Sequence, residues 1–96
     1  MSERISRIAE AVQKMHSCTS VRHVQSVPVN EVFQGQTVWQ GVVEVFDITG
    51  HPKAERAYGW EIPGPTPDWV AVLEIPPVTS PATAVRAALV AQSKTK

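Results

Sequence analysis

Residues 37–62 read TVWQGVVEVFDITGHPKAERAYGWEI, and this stretch decides the fold. Its first part, residues 38–48, is dense in β-branched and aromatic side chains, and its last part, residues 54–62, alternates polar and apolar positions. Gly50 and Pro52 lie between the two parts. Because such residue types favour strands and turns respectively, the stretch predicts two antiparallel strands joined as a hairpin.

The first strand of this hairpin carries apolar residues on both faces. Trp39, Val43 and Val45 share one face. Val42 and Phe46 share the other. A strand with two apolar faces is expected at the centre of a sheet, with its second face partly covered.

Another strand is predicted before the hairpin, over residues 19–33, and a tight turn over residues 34–36. Pro28 has no backbone N–H to donate, so this strand is expected to lie at a sheet edge or to bulge at Pro28. Gly41, in the following strand, has no side chain to pack and indicates either a bulge or a close neighbour.

An amphipathic helix is predicted over residues 3–15. Its apolar residues recur every three or four positions, so they form one stripe along the helix. We expect this stripe to pack on the sheet. It consists of Ile5, Ile8, Val12 and Met15.

The C-terminal part of the chain predicts a fourth strand over residues 69–75 and then a second helix. Ser80 and Pro81 have the residue types preferred at the N-cap and first position of a helix. The segment 82–92 is rich in alanine, which favours helix formation. Residues 93–96 are expected to be frayed.

These elements predict one α+β domain over residues 1–96, in the order α-β-β-β-β-α. Short connections between consecutive strands favour a four-stranded antiparallel sheet. We expect both helices, N-terminal and C-terminal, to cover one face of this sheet.

The charge composition argues against a dedicated nucleic-acid binder. The chain has 96 residues, nine Lys and Arg, nine Asp and Glu, and a formal net charge of zero. Binding many phosphates requires clustered basic residues, and these are absent from the sequence. Zero net charge also removes the repulsion that keeps copies apart, so a homo-oligomer, most simply a dimer, or a complex with another protein is expected.

A cytoplasmic location is expected from the remaining composition. Cys18 is the one cysteine in the sequence, so no intrachain disulfide can form. Residues 1–16 mix charged and apolar positions and lack the apolar core of a signal peptide. No segment approaches about 20 consecutive apolar residues, so no membrane association is expected.

His16, Cys18 and His23 are the nearest approach to a metal-binding constellation. A structural zinc site needs four ligands, and His51 alone remains to complete the set. The spacing matches no standard zinc pattern, so we predict no metal and no cofactor. Cys18 is expected to be a half-buried thiol, since no sequence feature marks it as a nucleophile.

Asp47 and His51 flank the predicted turn, and Glu44 precedes them in the same strand. A carboxylate and an imidazole can form an acid–base pair. Turns also select Asp, Gly and Pro for backbone reasons alone, and the sequence favours that structural role.

The aromatic residues form the more informative pattern. Two helices on one sheet face would leave the other face open, and an exposed apolar patch of that size marks a binding surface. Tyr58 and Trp60 share a face with Arg56, a composition typical of interaction surfaces. The predicted partner-binding residues are Arg56, Tyr58, Trp60, Phe46 and Val42.

Three functions therefore stay open. The favoured one is a small interaction module that self-associates or binds a protein through the open face, or edge to edge through its first or fourth strand. The second is a small enzyme or ligand binder with a pocket between sheet and helices. The third is weak binding of single-stranded nucleic acid. The polar candidates for the second are Glu44, Asp47, His23, His51 and Arg56, and the third would use Tyr58, Trp60, Arg56 and Lys53.

Overall fold

The computed structural model describes residues 3–62, 65, 68–76 and 78–94, with side chains described as far as residue 91. The predicted fold class is confirmed, because two helices flank one four-stranded antiparallel sheet with strand order β1-β2-β3-β4. The elements are α1 (Glu3–His16), β1 (Ser20–Phe33), β2 (Gln36–Thr49), β3 (Arg56–Ile62), β4 (Asp68–Leu73) and α2 (Pro81–Lys94). No helix within the described ranges is long and apolar enough to cross a membrane.

The β1–β2 hairpin extends well beyond the rest of the sheet. Its turn is made by Gln34 and Gly35, whose φ angles of 53° and 77° fit the two-residue turns that match strand twist. The β2–β3 ladder, by contrast, runs from Asp47 only as far as Glu44. Residues 28–42 therefore lie beyond the end of the β2–β3 ladder, and we call this segment the hairpin arm.

Irregularities in the hairpin fall at two valines. Register shifts leave Val24 unpaired on β1 and Val38 unpaired on β2. Pro28 lies on β1, an edge strand of the sheet, and pairs in register with Val42 of β2. This confirms the edge alternative for the proline. Gly41 is also in register, and the neighbour that its missing side chain accommodates is the indole of Trp39, 2.9 Å from a built Cβ.

The two helices lie on opposite faces of the sheet, so the prediction that both cover one face is wrong. Helix α1 packs through Ile8 and Val12 on a cluster that includes Phe46. Helix α2 packs through Ala84 and Val85 on a separate cluster that includes Val43, Val45, Tyr58 and Trp60. The physical reason is the two apolar faces of β2, since each of them must be shielded from water.

Helix α1 uses only part of its predicted apolar stripe. Ile8 and Val12 are fully buried, whereas Met15 in the last turn is 55% exposed. Ile5 is partly buried against the same cluster. The expectation that the whole stripe packs on the sheet is therefore wrong for Met15.

Helix α2 begins as predicted. Ser80 Oγ accepts a hydrogen bond from the backbone N–H of Thr83, and Thr83 Oγ1 accepts one from the backbone N–H of Ser80. This reciprocal capping satisfies N–H groups that a helix start leaves unpaired. The helix is assigned through Lys94, so it includes residues 93 and 94 of the segment expected to be frayed, and residues 95 and 96 lie outside the described residues.

Gly59 allows α1 to approach the sheet closely. A Cβ built on Gly59 would lie 2.5 Å from Ile8 Cγ2. We expect Gly59→Ala to lower the free energy of unfolding by about 1–3 kcal/mol, the usual cost of overpacking a core. Urea unfolding measures this cost. Gly41→Ala is the control, because its methyl group would meet only the end of the half-buried Trp39 side chain, and an equal loss in the control would contradict the interpretation.

Candidate functional site

The aromatic residues predicted to form an open binding face are buried. Phe46, Tyr58 and Trp60 are 0%, 2% and 3% exposed. They also lie on different faces, with Phe46 under α1 and the other two under α2. The predicted open face is therefore wrong, because each helix covers one side of the sheet.

Tyr58 is hydrogen-bonded to a carboxylate at the border of the cluster under α2. Its hydroxyl donates a hydrogen bond to Glu74. Burial, reinforced by the Glu74 carboxylate, raises the pKa of the Tyr58 phenol above its usual range. The group therefore stays protonated and acts as a buried donor.

Arg56 belongs to a charged network on the strands rather than to an aromatic surface. Its Nε and Nη2 atoms lie 3.2 and 3.1 Å from Asp47 Oδ1, and Arg22 Nη2 lies 3.0 Å from Asp47 Oδ2. The hydrogen bond from Arg56 is the main cause that holds the pKa of Asp47 below its usual range, and Arg22 adds to it. Of the five predicted partner-binding residues, Val42 is apolar and exposed, at 39%.

The predicted turn pair, Asp47 and His51, does not meet. His51 Nδ1 accepts hydrogen bonds from the backbone N–H groups of Lys53 and Ala54, each at 3.1 Å. Its geometry is that of a side chain that orders the β2–β3 connection. Lys53 and His51 therefore serve this connection, away from Tyr58 and Trp60.

His16, Cys18 and His23 do not converge on a metal site. His16 Nε2 lies 3.0 Å from the backbone oxygen of Ala71, whereas His23 bonds to Glu44. No group of three or more potential metal ligands occurs within the described part of the chain. Burial raises the pKa of the Cys18 thiol, which disfavours the reactive thiolate.

Glu44 is a buried carboxylate, 1% exposed, that accepts hydrogen bonds from three different side chains. Its Oε1 accepts from His23 Nε2 at 2.9 Å and from the Ser26 hydroxyl, while its Oε2 accepts from Arg4 Nη1 at 2.8 Å. Burial by itself raises the pKa of Glu44, but the hydrogen bonds from Ser26, Arg4 and His23 outweigh burial and lower it.

This cluster joins a helix to two strands and orients an imidazole. Arg4 comes from α1, His23 and Ser26 from β1, and Glu44 from β2. The His23 ring also packs edge-on against Phe46, with centroids 5.5 Å apart. None of the four cavities characterised among the described residues is lined by a side chain of this cluster.

The largest of these cavities is a groove between the tip of the hairpin arm and the second half of α2. Its volume is about 740 Å³. Four of its side chains are apolar and about half exposed or more. They are Val32 at 58%, Phe33 at 64%, Val38 at 48% and Val90 at 53%. We call it the arm groove, and its lining residues are Glu31, Val32, Phe33, Val38, Arg86, Leu89 and Val90.

One ion pair forms part of the lining of the arm groove. Arg86 Nε lies 2.5 Å from Glu31 Oε1, and the side chains are 66% and 10% exposed. The pair ties α2 to β1 and leaves the rest of the lining apolar. The groove is therefore an apolar surface with one arginine at its side.

The sequence contained signals for these residues that pattern reasoning missed. Val32 and Phe33 directly precede the predicted turn, where an exposed hairpin end normally carries polar residues. Val90 lies off the face that α2 turns to its core. Glu44 is a single carboxylate within the apolar run VVEVF, which indicates a buried charge that needs partners.

Comparisons with protein-family models, with curated proteins and with solved structures find no significant match to this chain. Any function must therefore be argued from the arm groove and the Glu44 cluster themselves.

Proposed function

We propose that this chain is a small cytoplasmic interaction module that forms a homodimer through the arm groove. The observation that carries the proposal is the group of exposed apolar side chains around the groove, Val32, Phe33, Val38 and Val90. Four exposed apolar side chains on one surface form the kind of patch that is often a binding site.

Burying this patch on each of two copies would remove apolar surface from water. That gain must exceed association costs of about 4–15 kcal/mol, and a standard interface of roughly 800 Å² per partner would also include arm residues around the groove. A second copy also meets no net electrostatic repulsion, since the chain has zero net charge.

The outer edge of β1 is a poorer route to self-association. Ile48 donates its backbone N–H to Glu55, so even-numbered residues of β2 direct their N–H groups away from β1. Val42 is one of them, so the backbone nitrogen of its partner Pro28 points outward, toward the free edge of β1. A proline at this point removes an edge donor, and the bulge at Val24 interrupts the edge again.

The catalytic and nucleic-acid alternatives have less support. The 2.9 Å contact between His23 and Glu44 favours an oriented base, but Glu44 is already neutralised by Arg4, and no characterised cavity adjoins the pair among the described residues. Base stacking on Tyr58 and Trp60 would require α2 to leave the sheet, because it covers both rings.

We expect light scattering across a dilution series to give twice the chain mass at high concentration, with a melting temperature that rises with concentration. Val38→Asp should shift the chain to the monomer, because a carboxylate in the groove opposes burial. Val24→Asp is the matched control, since Val24 is 40% exposed but lies outside the groove. A wild-type monomer at hundreds of micromolar would overturn the proposal.

A further inference from the structure

We infer that His16 closes the free edge of β4 and so keeps this strand from pairing with the β4 strand of a second copy. The edge is a surface separate from the proposed dimer contact, because none of the residues that line the arm groove lies on β4. It is held closed by hydrogen bonds to its outward-pointing backbone groups.

β4 is the last strand of the sheet, so one of its sides is a free edge. Glu74, directly after β4, donates its backbone N–H to Arg56 at 2.9 Å. Even-numbered residues of this segment therefore direct their backbone groups toward β3. The odd-numbered residues Trp69, Ala71 and Leu73 direct their N–H and C=O groups to the free edge, where an added strand would pair with them.

Two of these residues have an edge group occupied by a near neighbour in the chain. The Trp69 N–H donates to Asp68 Oδ1 at 2.8 Å, and the Leu73 carbonyl accepts from the backbone N–H of Ile75 at 2.9 Å. A residue in an antiparallel ladder exchanges both its N–H and its C=O with the residue opposite. Neither Trp69 nor Leu73 therefore offers a complete pair to an added strand.

Ala71, at the centre of the edge, is occupied from α1. His16 Nε2 lies 3.0 Å from the Ala71 carbonyl oxygen, and the ring is the donor because a carbonyl oxygen can only accept. Neighbouring strands lie about 4.8 Å apart, so an imidazole bonded to this carbonyl stands where an added strand would run. We call this hydrogen bond the edge contact.

The docking of α1 places His16 at the edge. His16 is the last residue of α1, which is anchored on the sheet through the fully buried Ile8 and Val12. Ser17, with a φ of 53°, ends the helix directly after it. The edge contact joins residues 55 positions apart, so it depends on the packing of the helix and not on the local sequence of β4.

The composition of β4 gives this edge a reason to be closed. Residues 69–73 read WVAVL, with high β-propensity, no charge and no proline. Exposed strands of this kind pair with copies of themselves. A two-fold axis at Ala71 would set Trp69 of one copy opposite Leu73 of the second copy, and no like charges would oppose the pairing.

His16→Ala and His16→Gln test the edge contact in the Val38→Asp background, where the proposed dimer contact is disrupted. Alanine removes the donor, glutamine keeps a side-chain N–H, and both residues favour helix, so α1 keeps its last turn. At hundreds of micromolar, the weight-average mass of His16→Ala in sedimentation should approach twice that of the Val38→Asp parent, while His16→Gln should stay close to the parent. Met15→Ala is the matched control, because Met15 is 55% exposed in the same helical turn and is not part of the edge contact.

Hydrogen exchange shows whether β4 is the strand that pairs. The Ala71 N–H points to the free edge, so pairing through β4 should slow its exchange in the associated His16→Ala chain. Association through another surface would leave this exchange rate unchanged.

Three outcomes would overturn the inference. They are a His16→Ala mass equal to that of the parent, association without slower exchange at Ala71, and equal association of His16→Gln and His16→Ala. In the last case the donor would not be what closes the edge.

The proposed homodimer fails on different results. A wild-type monomer, or a Val38→Asp parent that still dimerises, would count against the arm groove alone. The edge contact is judged by the difference between His16→Ala and its parent, and that difference can be measured in either case.

Discussion

Trp60→Ala should lower the free energy of unfolding by about 3–5 kcal/mol, the usual cost of truncating a buried aromatic side chain. Trp60 is 3% exposed and belongs to the cluster that α2 covers through Ala84 and Val85. Its ring also meets Trp39 edge-on, with centroids 5.7 Å apart. Removing the indole would open a cavity between sheet and helix, and urea unfolding of the purified variant measures the loss.

The matched control is Phe33→Ala, measured at a concentration where the wild type is dissociated. Phe33 is 64% exposed, so its truncation should change the stability of the monomer by about 0.5 kcal/mol or less. If Trp60→Ala cost no more than this control, the indole would lie at the surface, and the binding face predicted from the sequence would be restored.

The order and pairing of the elements were predictable because they depend on local patterns. Alternation along residues 38–48 and 54–62 predicts strands, and Ser80-Pro81 predicts where α2 begins; the structure has both features. The side of the sheet on which each helix packs was not predictable in the same way. Alternation shows which residues share a face, but not which distant helix covers that face.

One residue pattern did indicate two-sided cover. Val43 and Val45 lie on one face of β2, and Phe46 and Ile48 on the other, so a helix on one side alone would leave a row of apolar groups in water. The sequence showed this surplus. The sequence predicts a binding surface for this surplus, whereas in the fold the second helix covers it.

The arm groove could not be derived from the sequence, because it depends on where β3 leaves β2. The β2–β3 ladder stops at Glu44, and beyond it α2 and the arm line the groove together. Such a difference in ladder length is set by packing and has no local sequence signature. The apolar pair Val32-Phe33 beside the turn was the available hint.

Glu44→Gln should lower the free energy of unfolding by about 2–4 kcal/mol, because breaking a buried ion pair leaves its partners without compensation. A glutamine oxygen can still accept from His23 and Ser26. Its NH₂ group would then face the Arg4 guanidinium, which is itself a donor, at the present 2.8 Å contact. Arg4 is 40% exposed, and water reaching it limits the loss.

The same carboxylate should make the fold acid-sensitive in a defined direction. The folded-state pKa of Glu44 is lowered, so its contribution is fully present above the unfolded-state pKa of about 4.3 and is lost as the pH falls toward the folded-state pKa. Asp47, whose pKa is also lowered, adds a smaller loss because its side chain is 36% exposed.

Unfolding free energies measured from pH 7 to pH 3 separate the two carboxylates. The free energy of unfolding of the wild type should fall steeply below about pH 4.5. That of Glu44→Gln should be lower at pH 7 and should fall less, since glutamine has no proton to bind at this position. Asp47→Asn is the control and should keep most of the wild-type slope. Parallel curves for the wild type and Glu44→Gln would show that Glu44 has the same pKa folded and unfolded. The hydrogen bonds from Arg4, His23 and Ser26 would then not favour the ionised carboxylate, and its burial would need another explanation.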